Sequence, residues 1–215
     1  MNKVFISNTC VGQSVNRILD NTIPYNNPFI GTLIPNDLDY IKLVNNLEYY
    51  TYLDATLGLP KEDSVFCNQN NGKWYKHQYV SIPYPVIYLG DIEIHCIHED
   101  NYDNCFNKFN RRLHRLREVI KLEHKIFCLF SFSEFLNNHD DNEKIIESFL
   151  INNKSNLNII KLFLGPSKYN IDNNDNYINV NEWNNIELIR DSSNVYKFND
   201  QIFNVNQFYN KIINL

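Results

Sequence analysis

Apolar and polar residues follow each other in two different periods along this chain, and these periods predict both helices and strands. The clearest helical pattern occupies residues 101–123. Its apolar positions recur at alternating spacings of three and four: Phe106, Phe109, Leu113, Leu116 and Ile120. This spacing places all of these side chains on one side of a helix, so we predict an amphipathic helix with a single buried face.

Short apolar runs predict strands that alternate with helices. We predict strands at residues 3–7, 73–80, 84–89, 92–98, 126–132 and 158–164, and further helices after Cys10, from Asn36-Asp37 onward and around 141–150. Gly90-Asp91 is a dipeptide typical of a hairpin turn between two strands. Because strands alternate with helices, we predict a single α/β domain over residues 1–215, with a mixed central sheet flanked by helices.

The end of the chain has weaker patterns. Clustered asparagines at 170–185 indicate loops, residues 186–198 indicate a hairpin, and 199–214 have the spacing of a final amphipathic helix.

Composition limits the class of protein. The 215 residues are 43% hydrophobic and carry a formal net charge of −5, which is typical of a globular domain and unfavourable for a nucleic-acid surface. No apolar run approaches the ~18 residues of a membrane helix, and the first residues lack the pattern of a secretory signal. The five cysteines are odd in number and have no C-x-x-C spacing, which favours free thiols. We therefore expect a cytoplasmic protein with no nucleic-acid partner and no integral membrane segment.

Cys10 is the first candidate for chemistry. It follows the predicted strand 3–7 at the start of a predicted helix, where backbone N–H dipoles favour the reactive thiolate. A histidine in reach would complete a nucleophile–base pair. His98 is the preferred base because it ends a predicted strand, and His95 is the substitute, sharing a strand face with Glu93, which could orient its ring. The alternative is structural, with Cys10 as a small buried hydrophobe and His98 as a satisfied polar group.

Four arginines crowd two turns of the predicted helix 101–123: Arg111, Arg112, Arg115 and Arg117. A guanidinium at the rim of a core can grip a phosphate or carboxylate, so Arg111 and Arg112 are candidate ligands for an anionic substrate such as a sugar phosphate or nucleotide sugar. The alternative is an ordinary solvated helix face paired with acidic neighbours. Phosphate-binding and dinucleotide-binding glycine motifs are missing from the sequence, and His95, Cys96 and His98 lack a second pair of metal ligands. We expect no cofactor and no metal.

Ordered blocks of residues give a family resemblance. The blocks are Ile6–Cys10, Tyr25–Gly31, Asp39–Lys42, Leu47–Tyr50, Tyr84–Val86, Leu89–His95 with His98, and a helix with paired arginines. They resemble a bacterial and viral domain-of-unknown-function family that is often sited among exopolysaccharide and capsule biosynthesis genes. The resemblance covers residues 3–165, which leaves 166–215 as a C-terminal extension packed on that core. A more distant likeness is to a predicted papain-like cysteine peptidase family.

The resemblance implies a set of site residues. Its motif positions add Asn8, Asn27, Asp91 and Glu93 as substrate-binding residues beside Cys10, His98 and His95. Two departures stand out: Val11-Gly12-Gln13 follows Cys10 where relatives carry an aromatic residue and two glycines, and Ser131-Phe132-Ser133-Glu134 replaces an acidic turn. Glu134 is the candidate for a third residue that orients the histidine.

Together these observations predict a cytoplasmic enzyme of surface-glycan metabolism, a transferase or hydrolase. A papain-like peptidase or deconjugating enzyme, and a non-catalytic module that binds glycan or protein, are the two alternatives.

Overall fold

A computed structural model describes part of the chain: residues 3–9, 27–59, 84–97, 101–122, 125–131, 142–150, 157–164, 177–179, 195–198 and 201–204. The predicted helix after Cys10 and the predicted strand 73–80 lie outside these residues. None of the described helices is long and apolar enough to cross a membrane.

The described elements alternate between strands and helices. In chain order they are β1 (Lys3–Ser7), α1 (Asp37–Asn45), α2 (Leu47–Tyr52), β2 (Ala55–Gly58), β3 (Val86–Leu89), β4 (Ile92–His95), α3 (Tyr102–Ile120), β5 (Lys125–Ser131), α4 (Asn142–Leu150), β6 (Ile159–Leu164), β7 (Tyr177–Asn179), β8 (Val195–Phe198) and β9 (Gln201–Asn204). The α/β class is therefore confirmed.

A parallel sheet with strand order β1-β5-β6-β7 forms one half of this fold. Strand β5, helix α4 and strand β6 make a strand–helix–strand unit, and β5 pairs with β1 on its other side. Strands buried on both faces of a parallel sheet are continuously apolar, which is why β5 could be predicted from its run of large hydrophobic residues.

A smaller antiparallel sheet with strand order β2-β3-β4 forms the other half. The predicted turn at Gly90-Asp91 is confirmed, and it pairs Leu89 with Ile92 and Tyr88 with Glu93. Gly90 adopts φ +64°, a left-handed conformation that glycine accepts without strain. Strand β4 ends at His95, three residues earlier than predicted.

One short segment joins the two sheets. Leu33 exchanges two backbone hydrogen bonds with His95 (2.8 and 2.9 Å), and the next amide, of Ile34, donates to the carbonyl of Asn8 just after β1 (2.9 Å). We call this group (Asn8, Leu33, Ile34 and His95) the junction. It links the carboxyl end of β1 to the carboxyl end of β4.

Aromatic rings fill the space between the parallel sheet and helices α1 and α4. The ring of Phe130 on β5 lies 4.9 Å from that of Phe149, 6.0 Å from that of Tyr40 and 6.1 Å from that of Phe163, measured between centroids. All four side chains are buried, and the Tyr40 hydroxyl donates to the carbonyl of Ile6 (3.3 Å). Phe130 is therefore the centre of this part of the core.

Some predicted elements differ in the structure. The predicted helix from Asn36-Asp37 is confirmed, but it breaks at Asn46, whose amide returns to the carbonyls of Lys42 and Leu43. The predicted helix at 199–214 is wrong over 201–204, which form β9 and pair with β8 through Phe198 and Gln201. The hairpin prediction for 186–198 covers only the first strand of that hairpin. The expected loop at 170–185 contains β7.

Lys161 is a buried cation within the parallel sheet. Its Nζ donates to Oδ1 of Asn45 (2.8 Å) and to the carbonyl of Phe149 (2.5 Å), near the end of α4. Burial disfavours the ammonium form and lowers the pKa of Lys161 to about 8, although the nearby Cys128 thiol opposes this shift.

We expect Lys161 to make stability rise with pH. Between its folded pKa of about 8 and its ordinary value of 10.5, the unfolded chain holds a proton on Lys161 that the folded chain has released. The free energy of unfolding should therefore increase by roughly 2–3 kcal/mol across this window. Urea denaturation of the wild type and of Lys161→Met at several pH values measures the difference. Burial of Cys128 acts in the opposite direction in both proteins, so the difference between them reports Lys161, and parallel curves would contradict the assignment.

Candidate functional site

The junction places the residues that precede the two main predicted catalytic groups in one backbone network. Asn8 lies two residues before Cys10, and His95 lies three residues before His98; the segment 33–34 is hydrogen-bonded to both. Cys10, His98 and Glu134 themselves lie outside the described residues, so their catalytic roles stay predictions.

Polar side chains are unusually buried around the junction. Ser7, Asn8, Thr9 and Thr32 are each at least nine-tenths buried. The hydroxyl of Ser7 accepts from the amide of Thr9 (3.2 Å), whereas the hydroxyls of Thr9 and Thr32 have no hydrogen-bond partner among the residues that the structure describes. A buried hydroxyl without a partner costs about 1–3 kcal/mol, which makes these two groups candidates for contact with a polar ligand or water.

The burial of the Asn27 side chain is explained by hydrogen bonds within the protein. Its amide donates to the carbonyl of Phe5 (2.6 Å) and accepts from the amide of Phe29 (3.0 Å), so that it fixes the turn that leads into the junction. A contact between Asn27 and substrate stays a prediction, and its burial needs no ligand.

The centre of the site is a buried histidine–carboxylate pair on β4. Glu93 and His95 point to the same face of the strand, as predicted, and Nε2 of His95 lies 2.5 Å from Oε1 of Glu93. The side chains are 0% and 2% exposed. The predicted contact that could orient the imidazole is therefore confirmed, although the functional role of the pair stays a prediction.

Two tyrosines of the neighbouring segment extend this pair. The Tyr84 hydroxyl lies 3.1 Å from Nδ1 of His95. At the other end, the Tyr88 hydroxyl lies 3.3 Å from Oε2 of Glu93 and donates to the carbonyl of Leu59 (2.6 Å). We call Tyr84, His95, Glu93 and Tyr88 the polar chain. Both of its terminal tyrosines are half-buried, while its two central residues are sealed from solvent.

Gly58 gives the ring of Tyr88 its position. A Cβ at Gly58 would lie 2.5 Å from the Tyr88 ring, so a larger residue there would displace that ring. The glycine therefore lets the Tyr88 ring lie over β2, with its hydroxyl at the carbonyl of Leu59.

Asp91 contacts protein groups in the described structure. Its carboxylate accepts hydrogen bonds from Lys42 of α1 and from the hydroxyl of Tyr50 of α2 (2.8 Å). These two donors hold the pKa of Asp91 below its ordinary value. These hydrogen bonds connect the hairpin turn to helices α1 and α2. The predicted contact of Asp91 with substrate stays a prediction.

The arginines of α3 have different environments. Arg117 does not face a candidate site: its guanidinium donates to the carbonyls of Thr51 (2.5 Å) and Leu53 (2.8 Å) and so caps the end of α2. Arg111 is exposed and Arg112 is half-buried. Arg112 lies three residues after Phe109, whose ring packs edge-on against Phe29, 6.2 Å away between centroids. This contact places α3 beside the turn of the junction.

The described residues offer no obvious metal centre, because no group of three His, Cys, Asp or Glu side chains is arranged to hold an ion in this part of the chain. The thiols of Cys96, Cys105 and Cys128 are buried.

Sequence reasoning missed Tyr84 and Tyr88, although a signal for them exists. A two-residue turn at Gly90-Asp91 pairs Tyr88 with Glu93 and Val86 with His95. Side chains alternate between the faces of a strand, so Tyr84 and Tyr88 must share a face with Glu93 and His95.

The fold and the site define an α/β protein with a buried histidine–glutamate pair on β4, whose backbone is connected through Leu33 and Ile34 to the carboxyl end of β1. Residues 2–206 match the family described as Domain of unknown function (DUF1919), and the chain belongs to this family. The match extends beyond the 3–165 region of the predicted resemblance. No curated protein and no solved structure matches the chain.

Proposed function

We propose that this protein is an enzyme of surface-glycan metabolism, a transferase or hydrolase, with its active site at the junction. The observation that carries the proposal is the hydrogen-bonded path from Asn8 through Ile34 and Leu33 to His95. This path holds the chain positions that lead to Cys10 and to His98 against one short segment. In open α/β sheets, ligands bind at the carboxyl ends of strands, which is where the junction lies.

In this proposal Cys10 is the nucleophile and His98 the base, with Glu134 as the group that orients the histidine. His98 would take the proton of the Cys10 thiol, and the sulfur would attack the electrophilic carbon of the substrate. The bond from that carbon to the leaving group would break, and the protonated His98 would return its proton to the leaving group. Arg111 and Arg112 would bind the anionic part of a sugar phosphate or nucleotide sugar, and Asn8, Asn27 and Asp91 would contact its polar groups. The glycan substrate is supported by the resemblance to a family sited among exopolysaccharide genes. The cytoplasm is supported by the odd number of cysteines in the sequence and by their lack of C-x-x-C spacing.

The reactivity of Cys10 tests this proposal. We expect iodoacetamide, used below stoichiometry near neutral pH, to label Cys10 at least about tenfold faster than Cys67. A thiol that is hydrogen-bonded to a histidine is more ionised than an ordinary thiol, and the thiolate is the form that reacts. Mass spectrometry of the digested protein gives the rate at each cysteine. The buried thiols Cys96, Cys105 and Cys128 should label more slowly while the protein is folded.

A matched pair of histidine variants completes the test. His98→Ala should reduce the labelling rate of Cys10 to that of Cys67, whereas His114→Ala, which removes an exposed histidine on α3, should leave it unchanged. Equal labelling of Cys10 and Cys67 in the wild type, or an unchanged rate in His98→Ala, would exclude the dyad. A papain-like peptidase would pass this test, and cleavage of a fluorogenic peptide library would then favour it over a glycan enzyme.

A further inference from the structure

We infer that Tyr84 is a catalytic acid–base residue whose hydroxyl exchanges a proton with a hydroxyl of the substrate, backed by His95 and Glu93. The inference deepens the proposed function, because it assigns a second reacting group to the same site. It is argued from the polar chain alone and does not use Cys10 or His98.

Tyr84 is the residue through which the buried His95 can exchange a proton with a substrate. Nε2 of His95 is taken by Glu93 (2.5 Å) and Nδ1 by the Tyr84 hydroxyl (3.1 Å), and the imidazole is completely buried. The rings of Tyr84 and His95 lie 5.5 Å apart between centroids, and Tyr84 is half-buried. A base that is sealed from solvent can exchange protons with a ligand through a partly exposed neighbour.

The proposed relay defines the direction of each hydrogen bond. In the relay Glu93 is ionised and only accepts, so the proton lies on Nε2 of His95, and a neutral imidazole presents a lone pair at Nδ1. Tyr84 donates to Nδ1 in this state. Among the contacts that the structure describes, the pair also meets the Tyr88 hydroxyl at Oε2 and the Asp39 carboxylate, which accepts from the amide of Glu93 (3.5 Å).

The proton transfer balances without a co-reactant. A substrate hydroxyl gives its proton to the oxygen of Tyr84 while the Tyr84 proton moves to Nδ1, and the Glu93 carboxylate stabilises the resulting imidazolium. The reverse step returns the Nδ1 proton to Tyr84, which then protonates the leaving group. The arrangement of a hydroxyl, an imidazole and a carboxylate is the one that activates nucleophilic hydroxyl groups in hydrolases.

Two buried hydroxyls beside the junction are compatible with a ligand that carries hydroxyl groups. Thr32 is next to Leu33, whose backbone pairs with His95, and Thr9 is next to Asn8. Their hydroxyls have no partner among the described residues. Since a threonine hydroxyl can both donate and accept, a substrate rich in hydroxyl groups, such as a sugar, would satisfy both.

Acetylation by N-acetylimidazole tests the inference directly. The phenol oxygen attacks the acetyl carbon, imidazole leaves with a proton from solvent, and the phenol proton passes to Nδ1 of His95. We expect Tyr84 to be acetylated at least about tenfold faster than Tyr49, as general base catalysis is worth a hundredfold or more in favourable cases. Tyr49 is the internal standard because it is 62% exposed, so accessibility alone would favour it.

Two variants separate the relay from a structural role. Glu93→Gln keeps the size of the side chain but removes the charge that stabilises the imidazolium, so the rate at Tyr84 should fall to that of Tyr49 or below. Tyr52→Phe removes the hydroxyl of a tyrosine on α2 that is 48% exposed and lies outside the polar chain, so it should leave the rate within about twofold. Circular dichroism verifies that both variants are folded, and Tyr84→Phe identifies the labelled peptide.

The inference is overturned if Tyr84 in the wild type reacts no faster than Tyr49, or if Glu93→Gln leaves its rate unchanged. Nitrogen NMR of the wild type is a second test, because it shows which nitrogen of His95 carries the proton. A proton on Nδ1 instead of Nε2 would make His95 the donor to Tyr84, which is the opposite of the proposed direction. Rapid acetylation of Tyr84 together with slow labelling of Cys10 would reject the Cys10–His98 dyad and leave the relay standing. The opposite pair of results would reject the relay alone.

Discussion

Glu93→Ala is expected to lower the free energy of unfolding by about 2–3 kcal/mol, the upper part of the range for a buried hydrogen-bond donor that loses its acceptor. The variant leaves Nε2 of His95 without its acceptor at a site where the imidazole is 0% exposed and water cannot replace the lost partner. It also removes the carboxylate from beside the Tyr88 hydroxyl. Urea denaturation followed by circular dichroism measures the change.

Glu93→Gln is the matched control for this prediction. Its amide oxygen can accept from Nε2 of His95, and its NH₂ group can donate to the Tyr88 oxygen, so we expect a cost near 1 kcal/mol. An alanine variant that is as stable as the glutamine variant would show that the pair contributes little to the fold.

Phe130→Ala is expected to cost about 3–5 kcal/mol, because it opens a cavity at the centre of the aromatic core. Phe130 is fully buried, and three aromatic rings lie within 6.1 Å of its own between centroids. The neighbours sit on β6, α1 and α4, which cannot all move inward without breaking the sheet register. Thermal and urea denaturation of the purified variant give the loss.

Two further substitutions are controls for the loss of stability expected for Phe130→Ala. Phe130→Leu retains most of the apolar volume and should cost less than the alanine variant. Tyr49→Ala removes an aromatic ring that is 62% exposed, and its effect should stay within about 0.5 kcal/mol. Equal losses for Phe130→Ala and Tyr49→Ala would mean that the contacts of Phe130 are not those of a packed core.

The parts of the fold that the sequence predicts well are those in which one physical signal dominates. Helix α3 combines a long apolar stripe with Asn101, whose side chain accepts from the amide of Asn104 (2.9 Å). Strand β5 is a continuous apolar run, and helix α4 begins at Asn142, close to its predicted start. Length, periodicity and capping agree in these segments, so local preference and tertiary packing favour the same structure.

Prediction fails where an element depends on distant partners. Strand β2 has little apolar character of its own and forms because β3 offers an unpaired edge. The segment 201–204 contains an apolar pair, Ile202-Phe203, that suits either a helix or a strand, and pairing with β8 decides between them. Asn46 interrupts a helical pattern because its amide and side chain return to the preceding turn, and Nδ2 donates to the carbonyl of Lys42 (3.1 Å).

The candidate site divides in the same way. Contact between Glu93 and His95 follows from alternation within one strand, so the sequence predicts it. The connection of His95 to Asn8 depends on Leu33 and Ile34. Residues 22–35 contain three prolines and a glycine, which predict a loop with one short strand around Phe29–Leu33 and give no sign of this connection. Arg117 was grouped with the other arginines because it lies on the same helix, and its contact with the end of α2 depends on how the helices pack.

The bridge at Leu33 is a narrow backbone connection between the two sheets, and we call the line along the junction residues the seam. The described backbone link between its two sheets is a single residue wide on the side of β4, and one amide wide on the side of β1. Apolar side chains add to this link, because Ile6 of β1 and Ile94 of β4 belong to one hydrophobic core. A ligand seated at the seam would contact both sheets at once, so its binding would raise the stability of the folded protein.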